Sequence, residues 1–198
     1  LSDLEVENEE TNGELYEFAY PVRAEDAAEG AAELVVATTR PETMLGDTAI
    51  AVHPDDRRYA HLHGKKVVHP FLGREIPIIT DAELVDMAFG TGAVKVTPGH
   101  DFNDFATGKR HGLQEINILN ADATLNAEAG EFQGLSVKHA RTAVKRALAA
   151  RGLERGAKPH VLQLPRCGRC NTVVEPMIST QWFVKTKPLA EPALAAVA

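Results

Sequence analysis

The chain has 198 residues, of which 44% are hydrophobic and 25% charged, a balance that excludes wholesale disorder and allows a full buried core. No apolar run approaches the ~20 residues of a bilayer-spanning helix and no signal-peptide pattern opens the sequence, so neither a membrane protein nor a membrane partner is expected. The formal net charge of −7 argues against indiscriminate nucleic-acid binding by the chain as a whole. That charge is divided. Residues 1–33 carry eleven acids and one arginine, whereas between Val137 and Cys170 nine lysines and arginines face only Glu154. The basic stretch reads either as a solvated helix face or as a phosphate-contacting surface. Because the sequence starts at Leu1 and not at methionine, it is expected to be an excised fragment or a processed product.

In chain order, residues 1–14 are acidic and weakly patterned and are expected to be a flexible lead-in. Leu15 to Val22, rich in aromatic and branched residues, reads as a strand, and residues 25–32 as a polar loop or hairpin. Leu34 to Thr38 is a buried strand that runs into Thr38-Thr39-Arg40-Pro41-Glu42-Thr43. There the proline stops the strand and forces Arg40 to be extended. Turn chemistry accounts for the threonines better than for Arg40 and Glu42. Ala49 to Val52 is a short strand. Pro54 to His63 reads as a helix, with proline at its first position and Gly64 beyond its end. His53, His61, His63 and His69 are dispersed and read as surface or turn histidines. Val67-Val68 and Ile76 to Ile79 are strands around a turn at Gly73, and Thr80-Asp81-Ala82-Glu83 is a capping box that opens a short helix to Ala88.

The densest polar constellation follows, in the run from Phe89 to Phe105. Ala93 to Thr97 alternates as a half-buried strand, which puts Lys95 and Thr97 on one side and Val94 and Val96 on the other. Pro98-Gly99 breaks the strand and delivers His100, Asp101 and Asp104. A dinucleotide fingerprint would need a third glycine where Lys95 stands, and a Walker loop would need a glycine before the lysine and a helix after it. Asp101 can cap a helix running to about His111, with Asp104 completing a capping box; capping and ligand binding can coexist.

Ile116 to Leu119 reads as another buried strand. Ser136 caps a helix whose apolar face carries Val137, Ala140, Val144, Ala147 and Leu148 and which ends at Gly152. Val161 to Leu164 is a strand leading into Cys167-Gly168-Arg169-Cys170. Two cysteines are half of a tetrahedral zinc site, and no second pair exists in the sequence. A redox pair would want a helix after it, and Asn171 to Pro176 is none. The reading is a half zinc knuckle, with simple buried thiols as the alternative. Many short strands with few helices suggest an α+β domain built on a β-barrel.

Taken together, the run Thr38 to Thr43, the strand Gly90 to Pro98, Gly99-His100-Asp101 with Asp104, and Cys167-x-x-Cys170 followed by Gln181-Trp182-Phe183 resemble the inserted editing domain of class I valyl-tRNA synthetases. Isoleucyl and leucyl relatives share the architecture, but Lys95 and the Arg-Pro-Glu-Thr run are most similar to the valyl branch. The resemblance implies a cytoplasmic, barrel-centred domain at residues 15–160, with residues 161–198 returning to the synthetic domain of a longer chain. It implies hydrolysis of mischarged threonyl-tRNA for valine, with the tRNA 3′ end and the rest of the synthetase as partners. The His-Ile-Gly-His and Lys-Met-Ser-Lys-Ser signatures of the synthetic site are absent, so the chain is expected to edit and not to charge, and ATP would serve only the full-length enzyme. No cofactor is implied for editing, and zinc only with ligands outside this sequence. Thr39, Lys95, Asp101 and Asp104 are the implied catalytic residues, with Asp104 on the substrate ammonium and Asp101 or Thr97 near the threonyl hydroxyl. Thr38, Arg40, Glu42, Thr43, Phe89, Thr97 and His100 are the implied substrate contacts. A noncatalytic tRNA-binding module using the basic segment, and a generic esterase, are the rival readings; the esterase lacks a Gly-x-Ser-x-Gly elbow or a cysteine nucleophile with a placed histidine.

Overall fold

The computed structural model describes residues 5–27, 33–180 and 182–197. Residues 1–4 of the expected lead-in, most of the loop expected at 25–32, and Gln181 lie outside the described residues. In chain order the strands are β1 (Val6–Pro21), β2 (Glu33–Thr38), β3 (Ala49–Val52), β4 (Lys66–Val68), β5 (Glu75–Thr80), β6 (Ala93–Val96) and β7 (Glu154–Cys167); the helices are α1 (Phe102–His111), α2 (Val137–Ala150) and α3 (Lys187–Val197).

The protein is α+β, but among the described residues its strands form two sheets and no closed barrel. One sheet has the order β2-β1-β7 and the other β4-β5-β3-β6. The sheets meet at one corner, through an isolated bridge between Val22 and Val67. On the far side β2 lies beside β6 without a ladder between them. Both strands are short and each runs into a proline, Pro41 after β2 and Pro98 after β6, and a proline cannot extend a ladder.

The expected lead-in is replaced by the first half of β1, whose residues from Val6 to Gly13 pair antiparallel with the distant β7. Its acids carry no hydrophobic alternation, so nothing local announces a strand; the partner supplies the reason. Glu17 pairs with Lys158 at 2.6 Å, Glu9 with Arg166, Glu5 with Arg169, Glu14 with Lys145 on α2, and Glu33 with Arg155. The acidic N-terminal segment and the basic C-terminal segment thus neutralise each other. Each exposed pair contributes only about 0–1 kcal/mol, so the set favours a register more than it holds the sheet. Lys138 and Arg146 have no ion-pair partner among the described residues.

The second half of β1 enters the core. Tyr16, Phe18 and Tyr20, spaced two apart, point to one face and bury completely, with neighbouring ring centroids 6.2 and 5.3 Å apart. They pack in one cluster with Met44, Leu45 and Ile50 and with Ala140, Val144 and Leu148 of α2, the helix face expected from its periodicity. Ser136 stands at the α2 N-cap position without bonding the backbone; its hydroxyl pairs with His139 Nδ1 at 2.9 Å instead.

Three further expectations fail for local reasons. The helix read at Pro54 to His63 is a series of turns with a 3-10 turn at Ala60–Leu62. There the Asp56 carboxylate takes the Arg58 N–H at 3.0 Å and its guanidinium at 2.6 Å, side-chain bonding that competes with a helix. At Thr80 to Glu83 no helix forms: Thr80 ends β5, and Asp81 Oδ1 accepts from Glu83 and Leu84 N–H at 2.9 and 2.8 Å to close a single turn. Ile116 to Leu119 makes only an isolated bridge at Leu119, because side chains serve its backbone, the His100 ring taking the Ile118 N–H at 2.9 Å. Of the histidines read as surface or turn residues, His69 is a turn histidine, its Nδ1 accepting the Phe71 and Leu72 N–H at 3.2 Å; it is fully buried, and its Nε2 donates to Met44 O at 3.0 Å.

Glu42, 1% exposed, receives both a 2.8 Å bond from Arg141 Nε and a 2.8 Å bond from Arg141 Nη2, which ties α2 to the turn Pro41–Gly46. Arg141→Met leaves that carboxylate buried without its bidentate partner and is expected to destabilise the fold by about 2 to 4 kcal/mol, whereas the double variant Glu42→Met/Arg141→Met recovers most of the loss. Urea unfolding of the four proteins in the cycle measures both effects.

Candidate functional site

A cleft of about 480 Å³ opens where β2 ends, beside β6 and the start of α1, with β7 residues His160 to Gln163 as its opposite wall. Its floor is the end of β6. Lys95 and Thr97 do share a face, and the Lys95 ammonium donates to the Thr97 hydroxyl at 2.6 Å. Beyond Thr97 the chain turns at Pro98-Gly99. A Cβ on Gly99 would lie 2.2 Å from Ile116 O, so only glycine lets the two backbones approach this closely.

Asp101 caps α1 as expected, accepting from the N–H groups of Asn103 at 2.8 Å and Asp104 at 3.1 Å. Asp104 does not complete a capping box. Its Oδ2 turns back to accept the Thr97 N–H at 2.9 Å, which sets a carboxylate into the cleft floor. Burial pushes its pKa up to about 7, against the pull of Lys95 and with the repulsion of Asp101 and Asp47.

The threonine run brings the other end of the cleft. Thr38 Oγ1 accepts the Arg40 N–H at 3.1 Å and the Thr43 hydroxyl donates to Arg40 O at 3.0 Å, so both serve the turn. Thr39 lines the cleft half-buried and its hydroxyl has no hydrogen-bond partner among the described residues. The Arg40 guanidinium is fastened to His100 O at 3.0 Å and to Glu175 at 2.6 Å. Phe89, 52% exposed, stands on the rim edge-on to His160, with centroids 5.8 Å apart.

Two of the sequence assignments do not match their surroundings. Glu42 is not in the cleft, because Arg141 holds it behind the Pro41–Gly46 turn. His100 lines the cleft, but both ring nitrogens are used: Nδ1 bonds Pro176 O at 2.9 Å and Nε2 the Ile118 N–H at 2.9 Å. Since a carbonyl can only accept and an N–H only donate, the proton sits on Nδ1 and the ring is neutral. Burial draws its pKa down to about 4. It is a fixed wall and offers no free nitrogen as an acid or base.

Sequence reasoning missed Asp47. It is fully buried and accepts from Lys95 Nζ at 3.2 Å, from the Tyr20 hydroxyl at 2.6 Å and from the Thr97 hydroxyl. The signal was present: one acid in the otherwise apolar neighbourhood of Met44-Leu45-Gly46 and Ala49-Ile50 must find a cation or several donors. His160 and Gln163 on β7 were missed as cleft residues because the pairing of β1 with β7 was not legible. Cys167 is buried and Cys170 exposed, the Cys170 thiol donating to Thr172 Oγ1 at 3.3 Å. Among the described residues no three His, Cys, Asp or Glu side chains are placed to hold a metal. The cleft lining holds no cysteine or serine. It offers one ammonium, carboxylates and hydroxyls, a set suited to orienting a polar substrate and a water.

Comparison with known proteins places this arrangement. A family model described as "Leucyl-tRNA synthetase, editing domain" matches residues 60–149. A valine–tRNA ligase of Prochlorococcus marinus is 52% identical over 191 residues, which covers 96% of this chain and 20% of that protein. Those of Syntrophotalea carbinolica and Geobacillus stearothermophilus are each 53% identical, covering 100% and 98% of this chain and 21% of each relative. The chain therefore spans about a fifth of the length of the curated relatives it matches. A solved structure, the crystal structure of GlLeuRS-CP1, superposes with a TM-score of 0.56 at 15% identity, covering 73% of this chain and 99% of that one, a likeness of fold. With more than half of its residues shared along its whole length, this chain belongs to the aminoacyl-tRNA synthetase family, as an editing domain of the valine–tRNA ligase branch.

Proposed function

We propose that this chain hydrolyses the ester of tRNA charged with the wrong amino acid, threonyl-tRNA for valine being the substrate. The observation that carries the reading is the corner made by Lys95, Thr97 and Asp104. An aminoacyl ester presents a protonated α-amino group, a carbonyl and a terminal ribose. A buried carboxylate whose pKa is pushed up to about 7 gains most from an arriving cation, so Asp104 takes the ammonium. The Thr97 hydroxyl or Asp101 meets the threonyl hydroxyl, and Phe89 walls the side chain. Lys95 and the free Thr39 hydroxyl orient the carbonyl or the attacking water. Thr38, Thr43 and Arg40 shape the end that takes the terminal adenosine, with the Arg40 guanidinium set by Glu175 and His100 O. The ester is already activated, so positioning a water suffices without a strong general base.

Threonine and valine are isosteric, and the synthetic pocket of valyl enzymes is known to separate them only modestly for that reason. A second site must read the hydroxyl, and a polar floor does so because a valyl methyl leaves buried polar groups unpaired. The partners on this reading are the 3′ end of tRNA for valine and the remainder of a longer cytoplasmic synthetase chain. Cys167 and Cys170 fit two corners of a four-ligand zinc site whose other thiolates belong to residues beyond this sequence. The rival reading, a noncatalytic tRNA-binding surface on the basic segment, is weakened by the ion pairs that occupy Arg141, Lys145, Lys158 and Arg166.

Single-turnover assays with threonyl- and valyl-tRNA for valine test the reading. The threonyl ester is expected to be cleaved at least ~100-fold faster, and equal rates would overturn it. Asp104→Asn, which keeps an acceptor for the Thr97 N–H, is expected to lose about 2 to 4 kcal/mol of transition-state stabilisation, read as a ~30- to 1000-fold drop. In the wild type the enzymatic rate, corrected for spontaneous hydrolysis, rises with pH through about 7 as Asp104 ionises, and the variant loses that rise.

The same groups set the pH dependence of stability. His100 and His69, drawn by burial to about 4 and about 3, stay neutral while the unfolded chain takes up protons below ~6.5, so their contribution is lost as the pH falls from ~6.5 towards 4. Asp104 acts with the opposite sign, since the folded chain holds a proton up to about 7 that the unfolded chain releases near ~3.9. Denaturant unfolding at pH 7, 5.5 and 4.5 should therefore show stability falling on acidification, and falling more steeply in Asp104→Asn.

A further inference from the structure

Behind the cleft floor lies a group that touches no substrate position. Asp47 is 0% exposed and is not part of the cleft lining, yet three donors converge on its carboxylate. The Tyr20 hydroxyl of β1 takes Oδ2 at 2.6 Å; the Lys95 ammonium at 3.2 Å and the Thr97 hydroxyl share Oδ1. Its own backbone carbonyl is held by Arg74 Nη2 at 2.9 Å, so the residue is fixed by β1, β6 and the residue that precedes β5. Burial pushes the Asp47 carboxyl above its usual range, while the Lys95 ammonium and the Thr97 and Tyr20 hydroxyls pull it back. With donors on both oxygens, a proton on the carboxyl would displace one of these bonds, so the hydrogen bonding itself selects the charged form.

The geometry dictates the direction of one proton. A threonine hydroxyl has a single hydrogen and two acceptor positions. The Thr97 hydrogen points to Asp47, and one acceptor position takes the Lys95 N–H at 2.6 Å. What remains, on a residue that lines the cleft, is one lone pair. We propose that Asp47 is a positioning residue of this site: it seats the Lys95 ammonium and turns the Thr97 hydrogen away from the cleft, so that Thr97 accepts a hydrogen bond from the substrate and cannot give one. The ligand group read at this point is a donor, such as the hydroxyl of a β-hydroxy amino acid. The charged neighbours that face Lys95 are Asp47 from behind and Asp104 from α1, with Asp101 beyond it; of these carboxylates only Asp47 is hydrogen-bonded to the ammonium, which also donates to Thr97.

The inference rests on the editing reading for its substrate but not for its geometry, and two measurements separate the two. The first needs no hydrolysis. The chain is treated with a small amine-acylating reagent, and the labelling rate of Lys95 is followed by peptide mass spectrometry. Asp47→Asn removes the charge without changing shape and is expected to speed labelling about 10-fold or more, because an amine reacts only when unprotonated and free of partners. Tyr20→Phe, which removes a competing donor and keeps the charge of the same carboxylate, is expected to leave Lys95 labelling no faster than in the wild type. Lys95 labelling no faster in folded Asp47→Asn, or as fast in Tyr20→Phe as in Asp47→Asn, overturns the role of Asp47.

The second measurement compares the tRNA esters of threonine and of its 3-fluoro isostere, 2-amino-3-fluorobutyrate, each rate divided by its spontaneous rate. The wild type is expected to favour threonine about 10-fold or more, since fluorine cannot donate; equal rates overturn the assigned direction of the Thr97 hydroxyl. Asp47→Asn is expected to lower kcat about 10- to 100-fold with KM within about twofold, the split of a group that acts through Lys95. If neither ester is cleaved by the wild type, the editing reading fails, while the labelling result still decides what Asp47 does.

Discussion

Taking a lysine ammonium and an aspartate carboxylate out of water costs several kcal/mol for each ion, and the arrangement of this fold around Lys95 and Asp47 follows from that cost. The two residues stand on neighbouring segments because β3 pairs antiparallel with β6, Ile50 opposite Lys95, and the Thr48 N–H bonds Val96 O at 3.0 Å to carry the pairing one step further. Tyr20 reaches the same carboxylate from β1, and Arg74 steadies its backbone. Loss of either ion would leave the other without its counter-charge in the core. The two sheets are therefore linked by polar chemistry as well as by apolar packing.

The remaining polar side chains arrange themselves around that centre. Asp104 is kept near neutrality's edge by burial and by Asp47 and Asp101, with Lys95 as its opposing cation. His100 spends both nitrogens on backbone groups and so joins the turn after β6 to residues 118 and 176. Arg40 and Arg141 each anchor a loop through an acid, Glu175 and Glu42 respectively. The Thr39 hydroxyl, which lines the cleft without a hydrogen-bond partner among the described residues, is left for a ligand.

Much of this was legible in the sequence. The strand-turn-helix from Ala93 to His111, the α2 face and the polar runs at both ends of the cleft followed from period, proline placement and capping, all of which act within a few residues. What was illegible acts at a distance. The first half of β1 is polar on both faces, and only β7 makes it a strand. The apolar neighbourhood of Asp47 signals that it needs partners, but not that the cation is Lys95, 48 positions later. Asp104 has the spacing of a capping box, and its side chain leaves that role because the Thr97 N–H needs an acceptor. The helix expected at Pro54 to His63 was lost to competition: Pro at the first position was a valid signal, but the Asp56 and Arg58 side chains satisfy the turn in another way.

The pairing of β1 with β7 also orders events in time. Val6 lies opposite Cys167 and Gly13 opposite His160, so the wall that completes the cleft comes from the far end of the chain. Contacts of such sequence separation form late and slowly, since the intervening loop must be closed before they contribute. During synthesis, β6 and α1 emerge with their polar groups well before β7 exists to face them. A nascent chain that stops short of residue 160 has the floor of the cleft in its sequence and no opposite wall, so the pocket is completed only once β7 has been made.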